Sequence, residues 1–318
     1  MSVKVLVTGG AGFIGSHVVD RLVANHYKVR VIDDLSTGQL DNIQEHVASG
    51  AVDFVKGDIR DVSLVEKSLE GANAVIHLAA LASVPFSIEH PALTFDVNLS
   101  GTLNLLRYSI KQKVNRFVFI SSCAVYGDPK SLPVSEHAQT NPISPYAESK
   151  LIAERYCLGF AQRQLIRSVV LRFFNVYGPR QGINEYSGVI TRFINCSKKK
   201  EPLIIYGDGS QTRDFVNVND VTQAVLSSIT REDAAGEVFN VGSGNPTSIK
   251  ELANTVLDLA CVDSGVRFEE SRAGDIKDTF ADISKARKLL GYKPKVSLRD
   301  GLKALFKQTS LLPNSMRD

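Results

Sequence analysis

Short, apolar runs alternate with helical patterns between Val3 and Phe174 of this 318-residue chain. The runs are almost continuously apolar, as expected for strands that are buried on both faces of a parallel sheet. Their alternation with helices predicts a doubly wound α/β fold. We predict strands at Val3–Thr8, Lys28–Asp33, Asp53–Gly57, Ala74–Leu78, Phe117–Ser121 and Ser168–Phe174, and helices that include Ile14–Asn25, Ala92–Lys111 and Tyr146–Ala161.

The pattern changes after Asn175, where proline and glycine residues interrupt the alternation. The mixture of strands and helices predicts a smaller α+β lobe over the carboxyl ends of the parallel strands, where doubly wound sheets bind ligands. We assign residues 1–177 and 212–242 to a dinucleotide-binding Rossmann domain, and residues 178–211 and 243–318 to the C-terminal lobe. After Asn175 we predict helices at Val189–Lys199 and Val221–Thr230 and strands at Leu203–Tyr206 and Asp214–Val218.

Composition argues against several classes of protein. The 37 Lys and Arg residues and 34 Asp and Glu residues are mixed along the chain, with a formal net charge of +3. The basic run Lys198–Lys200 is predicted to be the solvated end of a helix, so we expect no nucleic-acid partner. No apolar run approaches the roughly 18 residues that a membrane-spanning helix needs, so we expect no membrane partner.

The cysteines show neither the spacing of a zinc site nor that of a disulfide framework. This predicts no metal site and favours a reducing, cytoplasmic location. The four residues are Cys123, Cys157, Cys196 and Cys261.

A glycine-rich segment, Thr8–Gly15, follows the first predicted strand and opens the first predicted helix. Gly9 allows a tight turn, Gly12 lets the backbone approach a pyrophosphate, and Gly15 lets the helix pack closely on the strand. The unpaired N–H groups at the start of the helix favour bound phosphate. The alternative is a glycine-rich turn without a ligand, but the next strand favours a dinucleotide site.

That strand ends in two acids, Asp33 and Asp34, of which the first lies 18 residues after Gly15. A carboxylate at this point accepts hydrogen bonds from the adenosine ribose and repels a 2′-phosphate, which favours NAD over NADP. Asp58 follows the third predicted strand, where a carboxylate can meet the adenine amino group.

Tyr146 and Lys150 are four residues apart and therefore share one face of a predicted helix. A tyrosine with an ordinary pKa of about 10 is a poor base at neutral pH. A nearby lysine ammonium, together with an oxidised nicotinamide, favours the phenolate and lowers that pKa. Ser122 follows a predicted strand and can bond the same substrate hydroxyl. We predict these three residues as catalytic; the alternative for the tyrosine and lysine is a surface pair.

With these motifs the chain resembles the extended short-chain dehydrogenase/reductase family, in particular its NAD-dependent sugar-nucleotide epimerase/dehydratase branch. The resemblance extends from Thr8 to beyond Asp282, and it implies a tightly held NAD and a UDP-sugar substrate. Besides the motifs above, it rests on the segments His77–Ala80, Asn98–Thr102, Ser121–Gly127, Leu171–Arg180, Arg213–Val216, Arg272–Asp275 and Ala281–Asp282.

The resemblance implies two sets of binding residues. The implied cofactor residues are Gly9, Gly12, Phe13, Ile14, Gly15, Asp33, Asp34, Ser36, Gly38, Asp58, Ile59, Leu78, Ala79, Ala80, Asn98, Ser121, Tyr146, Lys150 and Phe174. The implied substrate residues are Ser122, Tyr146, Asn175, Val189, Ile204, Tyr206, Arg213, Arg272, Asp275 and Thr279. His77, inside an apolar strand, is predicted to be a packed, hydrogen-bonded core residue rather than an acid or base.

The residues after Ser122 discriminate between the reactions of this family. Dehydratases carry Asp-Glu there and glucuronate decarboxylases carry a glutamate, whereas this chain has Cys123 and Ala124. The resemblance therefore implies a UDP-glucose/UDP-galactose type of C4 epimerisation, in which Tyr146 removes the 4-hydroxyl proton and Lys150 binds the nicotinamide ribose.

Several alternatives stay open within this reading. They are epimerisation of UDP-N-acetylglucosamine, UDP-glucuronate or UDP-xylose, reduction of a 4-keto sugar, and a non-catalytic NAD-binding regulator. Related epimerases exclude an N-acetyl group with a tyrosine where this chain has the smaller Thr279, whereas N-acetyl-active members often carry arginine where it has Phe86. The resemblance also implies a homodimer through the helices Ala92–Lys111 and Tyr146–Ala161.

Overall fold

The computed structural model describes residues 3–182, 188–271 and 276–308. Its strands, numbered in chain order, are β1 Lys4–Thr8, β2 Lys28–Asp33, β3 Val52–Lys56, β4 Ala74–His77, β5 Arg116–Ser122, β6 Arg167–Phe173, β7 Asn175–Tyr177, β8 Leu203–Tyr206, β9 Thr212–Asn217, β10 Val238–Val241, β11 Pro246–Ser248 and β12 Val266–Glu269.

The α-helices are α1 Phe13–Ala24, α2 Gln44–Ala48, α3 Val62–Ser68, α4 Val84–Glu89, α5 Pro91–Phe95, α6 Gly101–Lys111, α7 Pro145–Gln162, α8 Val189–Lys199, α9 Val218–Thr230, α10 Ile249–Ala260, α11 Ser284–Leu290 and α12 Leu298–Gln308. Three 3₁₀ turns, Leu40–Asn42, Cys123–Tyr126 and Glu232–Ala234, accompany them.

Seven parallel strands form the central sheet, in the order β10-β6-β5-β4-β1-β2-β3. The chain order reverses between β1 and β4, which places a crevice at the carboxyl ends of these neighbours. Side chains of β1 alternate between the two faces of the sheet. Val5 and Val7 join a core cluster with α1 and α9, whereas Leu6 joins a second cluster with α3, α6 and α7. The predicted doubly wound fold is confirmed.

A smaller lobe contains a three-stranded sheet, β11-β9-β7, and a two-stranded parallel sheet, β12-β8. Its apolar cluster includes Phe193 of α8, Leu252 of α10 and Leu302 of α12. This mixture of short strands and helices is the predicted α+β lobe. The boundaries 1–177, 212–242, 178–211 and 243–318 stay a prediction.

The predicted helix Ala92–Lys111 differs in detail, because α5 and α6 are joined by a π-helical turn, Asp96–Ser100. A π turn shifts the side chains beyond it around the axis, and such turns often lie at functional sites. The basic run Lys198–Lys200 ends α8, with Lys199 and Lys200 exposed, as predicted.

The described residues contain neither a membrane-spanning helix nor a metal-binding cluster. None of their helices combines the length and apolar character needed to cross a bilayer. Among the same residues no cluster of three His, Cys, Asp or Glu side chains could hold a metal ion.

Candidate active site

A cleft of about 450 Å³ lies at the carboxyl ends of β1, β2, β4, β5 and β6, beside the first turn of α1. Most of the predicted cofactor residues line it together with Ser122. They are Gly9, Gly12, Phe13, Ile14, Gly15, Asp33, Asp34, Ser36, Asp58, Ile59, Leu78, Ala79, Ala80, Ser121, Tyr146, Lys150 and Phe174.

Ten further residues line the cleft that sequence reasoning missed. Most of them are sequence neighbours of the predicted residues, so the ends of the predicted strands were the signal that could have found them. They are Ile32, Thr37, Gly57, Leu81, Ala82, Val97, Ile120, Phe173, Val176 and Gln181.

The glycine loop has the geometry that a bound dinucleotide requires. Gly9 has a φ of +70°, and a Cβ there would lie 2.7 Å from the Ala79 backbone nitrogen. A Cβ at Gly15 would collide with the Gly9 carbonyl, so this close helix–strand contact requires glycine. Gly12 caps α1 without a side-chain hydrogen bond, and the first-turn residues Phe13 and Ile14 line the cleft. No side chain caps the N–H groups at this helix start, which suits a bound pyrophosphate.

Asp33 has a second task that its sequence position did not reveal. Its carboxylate accepts hydrogen bonds from the backbone N–H of Ala11 at 2.9 Å and of Leu35 at 2.9 Å, so it ties the glycine loop to the end of β2. Burial raises the pKa of this carboxyl group, and the N–H donors oppose that rise. The glycine loop, the start of α1 and this acid together fit NAD.

Other predicted cofactor residues lie just after the carboxyl ends of β2 and β3. Asp58 forms an ion pair with Arg60 at 2.6 Å, and hydrogen bonds from Arg60 lower the pKa of its carboxyl group. Asp34 accepts hydrogen bonds from the backbone and hydroxyl of Ser36. Gly38 does not line the cleft but packs on Asp33, where a Cβ would lie 2.8 Å from Oδ1.

Asn98 also lies outside the cleft lining, in the π turn. Its side chain accepts a hydrogen bond from the Leu81 N–H at 2.8 Å and donates to the Leu81 carbonyl and the Ser149 hydroxyl. The Ser149 hydroxyl in turn donates to the Tyr146 carbonyl at 2.8 Å. Asn98 therefore braces the wall of the cleft at Leu81 against α7. Its predicted contact with the cofactor stays a prediction.

Tyr146 and Ser122 both line the cleft, where the Ser122 hydroxyl is close enough to favour the Tyr146 phenolate. Ser144 caps α7 and Pro145 begins it, which places Tyr146 in the first turn of the helix. Burial raises the pKa of Tyr146 to about 12, although the Ser122 hydroxyl opposes the rise. The sequence had favoured a lowered value. Burial outweighs the hydroxyl contact, and the expected lowering also needs the positive charge of a nicotinamide.

Lys150 lies one turn further along α7 and is almost fully buried. Its ammonium donates to the Ile120 carbonyl at 2.9 Å and lies 4.9 Å from the centre of the Phe119 ring. Burial lowers the pKa of Lys150 to about 8, while nearby Cys157 and Glu154 oppose the fall. The group is therefore mainly an ammonium at neutral pH, within reach of a proton exchange near pH 8.

His77 is the hydrogen-bonded core residue that the sequence predicted. Its Nδ1 lies 2.7 Å from the Thr8 hydroxyl, and its Nε2 lies 2.8 Å from the Thr102 hydroxyl. The Thr102 hydroxyl donates to the Asn98 carbonyl, so it accepts from Nε2–H of a neutral imidazole. Burial holds the pKa of His77 well below its usual value.

Apart from Ser122 and Tyr146, the described residues that were predicted to bind substrate lie outside the cofactor cleft. Asn175 donates to the Asp214 carbonyl at 3.3 Å, and Arg213 donates to the Thr212 carbonyl at 2.8 Å. Thr279 is buried beside Thr212, to whose carbonyl its N–H donates. Val189 begins α8, while Ile204 and Tyr206 lie on β8. The predicted residues Arg272 and Asp275 lie outside the described part of the chain.

Sequence reasoning missed Asp214, a buried residue that follows the predicted substrate residue Arg213 and joins separate segments of the chain. Its carboxylate accepts hydrogen bonds from Ser243, Gly244 and the Ala281 N–H. It therefore fastens the segment that carries Thr279 to the strand that carries Arg213. Burial raises the pKa of this carboxyl group against the effect of these donors.

The fold and the cleft define the class of dinucleotide-binding Rossmann enzymes. The profile of the NAD dependent epimerase/dehydratase family matches residues 5–242, and the chain belongs to that family. Its members are NAD-dependent enzymes that act on nucleotide sugars, which confirms the resemblance seen in the sequence.

Individual relatives carry different substrate names. A protein of Methanocaldococcus jannaschii, provisionally named a UDP-glucose 4-epimerase, is 41% identical over 94% of this chain and 96% of its own. The structure of UDP-glucose 4-epimerase from Thermotoga maritima with UDP-glucose superimposes with a TM-score of 0.91 at 39% identity, covering 97% of this chain and 100% of that one. A UDP-N-acetylglucosamine 4-epimerase from Methanobrevibacter ruminantium gives 0.90 at 36%, with the same coverage.

Proposed function

We propose that this protein is a UDP-hexose 4-epimerase that interconverts UDP-galactose and UDP-glucose through a transient 4-keto sugar. The observation that carries the proposal is the composition of the cleft beside Tyr146. The Ser122 hydroxyl lies near the tyrosine and favours its phenolate, and the two residues that follow Ser122, Cys123 and Ala124, bring no carboxylate. Burial raises the pKa of the Cys123 thiol to about 12, so it stays neutral and cannot replace an acid–base carboxylate.

The chemistry follows from what these side chains can do. Tyr146, as phenolate, removes the proton of the 4-hydroxyl group, and Ser122 orients that hydroxyl through its own hydrogen bond. Lys150 stabilises the phenolate by its positive charge. Bound NAD would supply the hydride acceptor and donor for C4, and because the hydride is returned it would act as a resident group rather than a consumed substrate. The protonated Tyr146 then returns the proton to the oxygen of the epimerised centre.

The smaller lobe supports the proposal through its cationic and polar residues. The Arg213 guanidinium suits diphosphate oxygens. Asn175 lies close by, because its side chain donates to the carbonyl of the next residue, Asp214. Arg272 and Asp275 are proposed as further diphosphate and ribose contacts, and Val189, Ile204 and Tyr206 as the uracil pocket. Holding the nucleotide in the lobe leaves the sugar free to turn over and present either face of C4.

The second candidate substrate is UDP-N-acetylglucosamine or its galacto epimer. Thr279 favours it, because a small side chain occupies the position that the resemblance assigns to the pocket near C2. The chain is nearly equally similar to a UDP-glucose 4-epimerase and to a UDP-N-acetylglucosamine 4-epimerase, so this similarity favours neither substrate over the other.

We further propose a homodimer in the cytoplasm. Free thiols at Cys123, Cys157, Cys196 and Cys261 favour a reducing compartment. Exposed apolar side chains on α4, α5 and α7 support a helical contact between two copies.

The test is to incubate the purified protein, without added NAD, with UDP-galactose, UDP-glucose, their N-acetylated forms and UDP-glucuronate in separate reactions. Proton NMR of the sugar ring follows the C4 configuration, and absorbance of the denatured supernatant measures the NAD that was carried. Interconversion of UDP-galactose and UDP-glucose is expected. A pentose product from UDP-glucuronate, or turnover of N-acetylated sugars alone, would overturn the assignment to UDP-hexoses.

A further inference from the structure

A third buried side chain continues the catalytic face of α7. Tyr146, Lys150 and Glu154 follow one another at intervals of four residues, and each is less than a tenth exposed. Glu154 is 1% exposed, although an unpaired carboxylate in a protein interior is strongly unfavourable. It therefore has partners that the helix alone does not supply.

The partners of Glu154 come from the two neighbouring strands. Arg172 of β6 binds both carboxylate oxygens, through Nη2 to Oε2 at 2.6 Å and through Nε to Oε1 at 3.0 Å. The Ser121 hydroxyl of β5 donates to Oε1. Ser121 lines the cofactor cleft and immediately precedes Ser122, so one carboxylate connects α7, β5 and β6 beneath the catalytic residues.

Arg172 is itself fixed on its other side. Its guanidinium lies 4.8 Å from the centre of the Tyr126 ring and donates to the Glu136 carbonyl at 3.4 Å. A buried ion pair of this kind adds little net stability, because desolvation offsets most of the attraction, but its two charge-assisted hydrogen bonds define how α7 and β6 meet. Its location beside the catalytic residues then suggests a function in positioning.

We propose that Glu154 is a positioning residue for the catalytic centre: paired with Arg172, it holds Ser121 and hence Ser122 in place, and it supports the ammonium form of Lys150. The proposal rests on the function proposed above, in which Ser122, Tyr146 and Lys150 act on the 4-hydroxyl group.

The charges around Lys150 make the second part of the proposal specific. The titratable groups that face it are Tyr146, Glu154 and Cys157 on its own helix and His77 on β4. Burial raises the pKa of Cys157 and lowers that of His77, so both are neutral. Glu154 is then the negative charge that favours the ammonium, with Arg172 of β6 on its far side.

The experiment compares E154Q with the double variant E154Q/R172Q. E154Q leaves the Arg172 charge without its partner, whereas the double variant removes both charges and keeps amide groups that can bond each other. D220N is the matched control, since Asp220 is another buried carboxylate that accepts two backbone N–H groups, but it lies on α9 and away from the cleft. NAD content, thermal unfolding, KM and the pH profile of kcat are measured for each protein.

E154Q is expected to retain NAD and its KM for the UDP-sugar, while its kcat falls about 10- to 100-fold. The loss of a negative charge lowers the pKa of Lys150, so the ammonium is lost at lower pH. The alkaline limb of the kcat profile should therefore move down by about one pH unit. The double variant should recover part of this shift, and D220N should show wild-type kcat and an unmoved limb.

Wild-type kcat with an unmoved limb in E154Q would overturn the proposal. A second combination of results would also overturn it. In that case E154Q loses kcat without a shift of the alkaline limb, and D220N shows the same loss of thermal stability and activity. If E154Q does not fold, the double variant decides the question by the same two readouts. A wild-type protein without turnover on any UDP-sugar contradicts the proposed function instead, so the two failures are distinguishable.

Discussion

The surroundings of Tyr146 keep its hydroxyl group protonated at neutral pH. Burial raises its pKa to about 12, and the Ser122 hydroxyl offsets only part of that rise. A phenol in this state becomes a base when a positive charge is added close by. The cofactor cleft contains the Tyr146 side chain, so bound NAD brings such a charge to the site.

We expect Y146F to retain NAD and lose turnover by at least about 100-fold, because general base catalysis typically contributes that much. Y292F is the matched control, since the Tyr292 hydroxyl is also buried and hydrogen-bonded, to the Gly242 carbonyl, but does not line the cleft. NMR turnover rates and the NAD content of both variants check the prediction. Near-normal turnover in Y146F would remove Tyr146 from the proposed mechanism.

Thr279 determines substrate choice in our proposal through its size. It is 6% exposed and its N–H donates to the Thr212 carbonyl, so its backbone is fixed by β9, the strand that carries Arg213. A tyrosine at this point would fill space that an N-acetyl group can otherwise occupy. Phe86 stands where the resemblance often places an arginine in N-acetyl-active members; its ring lies tilted against that of His90, with centroids 4.5 Å apart, and does not line the cofactor cleft.

We expect T279Y to lower turnover of N-acetylated UDP-sugars by at least about tenfold and to spare UDP-galactose, because steric exclusion acts on the larger substrate. T279V, which removes the hydroxyl and keeps the size, separates a steric effect from a lost hydrogen bond. Rates for each substrate with each protein provide the measurement. Identical substrate ratios in wild type and T279Y would refute the steric explanation.

At the scale of elements, the β1–α1–β2 unit is stabilised by the same carboxylate that is proposed to select the cofactor. Asp33 bonds the Ala11 N–H inside the glycine loop and the Leu35 N–H after β2. Loss of this group leaves the buried Ala11 N–H unpaired, which costs about 1–3 kcal/mol, and also frees the half-buried Leu35 N–H. A change at Asp33 therefore affects the loop as well as the ribose.

D33A is expected to bind NAD more weakly, to narrow the preference for NAD over NADP, and to unfold at a lower temperature than wild type. D208A is the control, because Asp208 is exposed, lies outside the cleft, and its carboxylate bonds only Ser210 among the described residues. Calorimetric affinities for the two cofactors and melting curves check both effects. Preparation of the wild-type protein with NADP bound would contradict the assignment of this site.

The sequence predicted most elements of the central sheet within one or two residues, because strands that are buried on both faces have a clear apolar signature. Val189–Lys199 and Leu203–Tyr206 match the structure at both ends. The π turn at Asp96–Ser100 and the short strands β7, β10, β11 and β12 were not predicted. Their pairing depends on residues distant in sequence, for which a local pattern holds no information.

Across the whole molecule, motif residues were predictable but the contacts that hold them were not. The spacing of Tyr146 and Lys150 placed both in one cleft. Glu154 continued the same spacing and could have been found, whereas its partner Arg172 lies on another element. Asp214 was hidden for the same reason, since its bonds to the loop after β10 and to Ala281 require the folded chain.

The helix that carries Tyr146 and Lys150 also presents apolar side chains to solvent. Tyr156 on α7 is 45% exposed, and Leu93 on α5 is 40% exposed. These two helices pack on each other, so their outer surfaces lie close together. Apolar surface of this kind on a helical pair is typical of a subunit contact, and burying it in a dimer would stabilise the helix that positions the catalytic residues.

We therefore expect the wild-type protein to be a dimer in solution, and L93E/Y156E to be a monomer with a lower melting temperature, because burying four charges in a symmetric contact is strongly unfavourable. F268E is the matched control: Phe268 is 52% exposed, but it lies on β12 in the smaller lobe. Light scattering coupled to size-exclusion chromatography measures the mass of each protein. A monomeric wild type over the whole concentration range, or an L93E/Y156E variant that stays dimeric, would show that this helical surface is not the subunit contact.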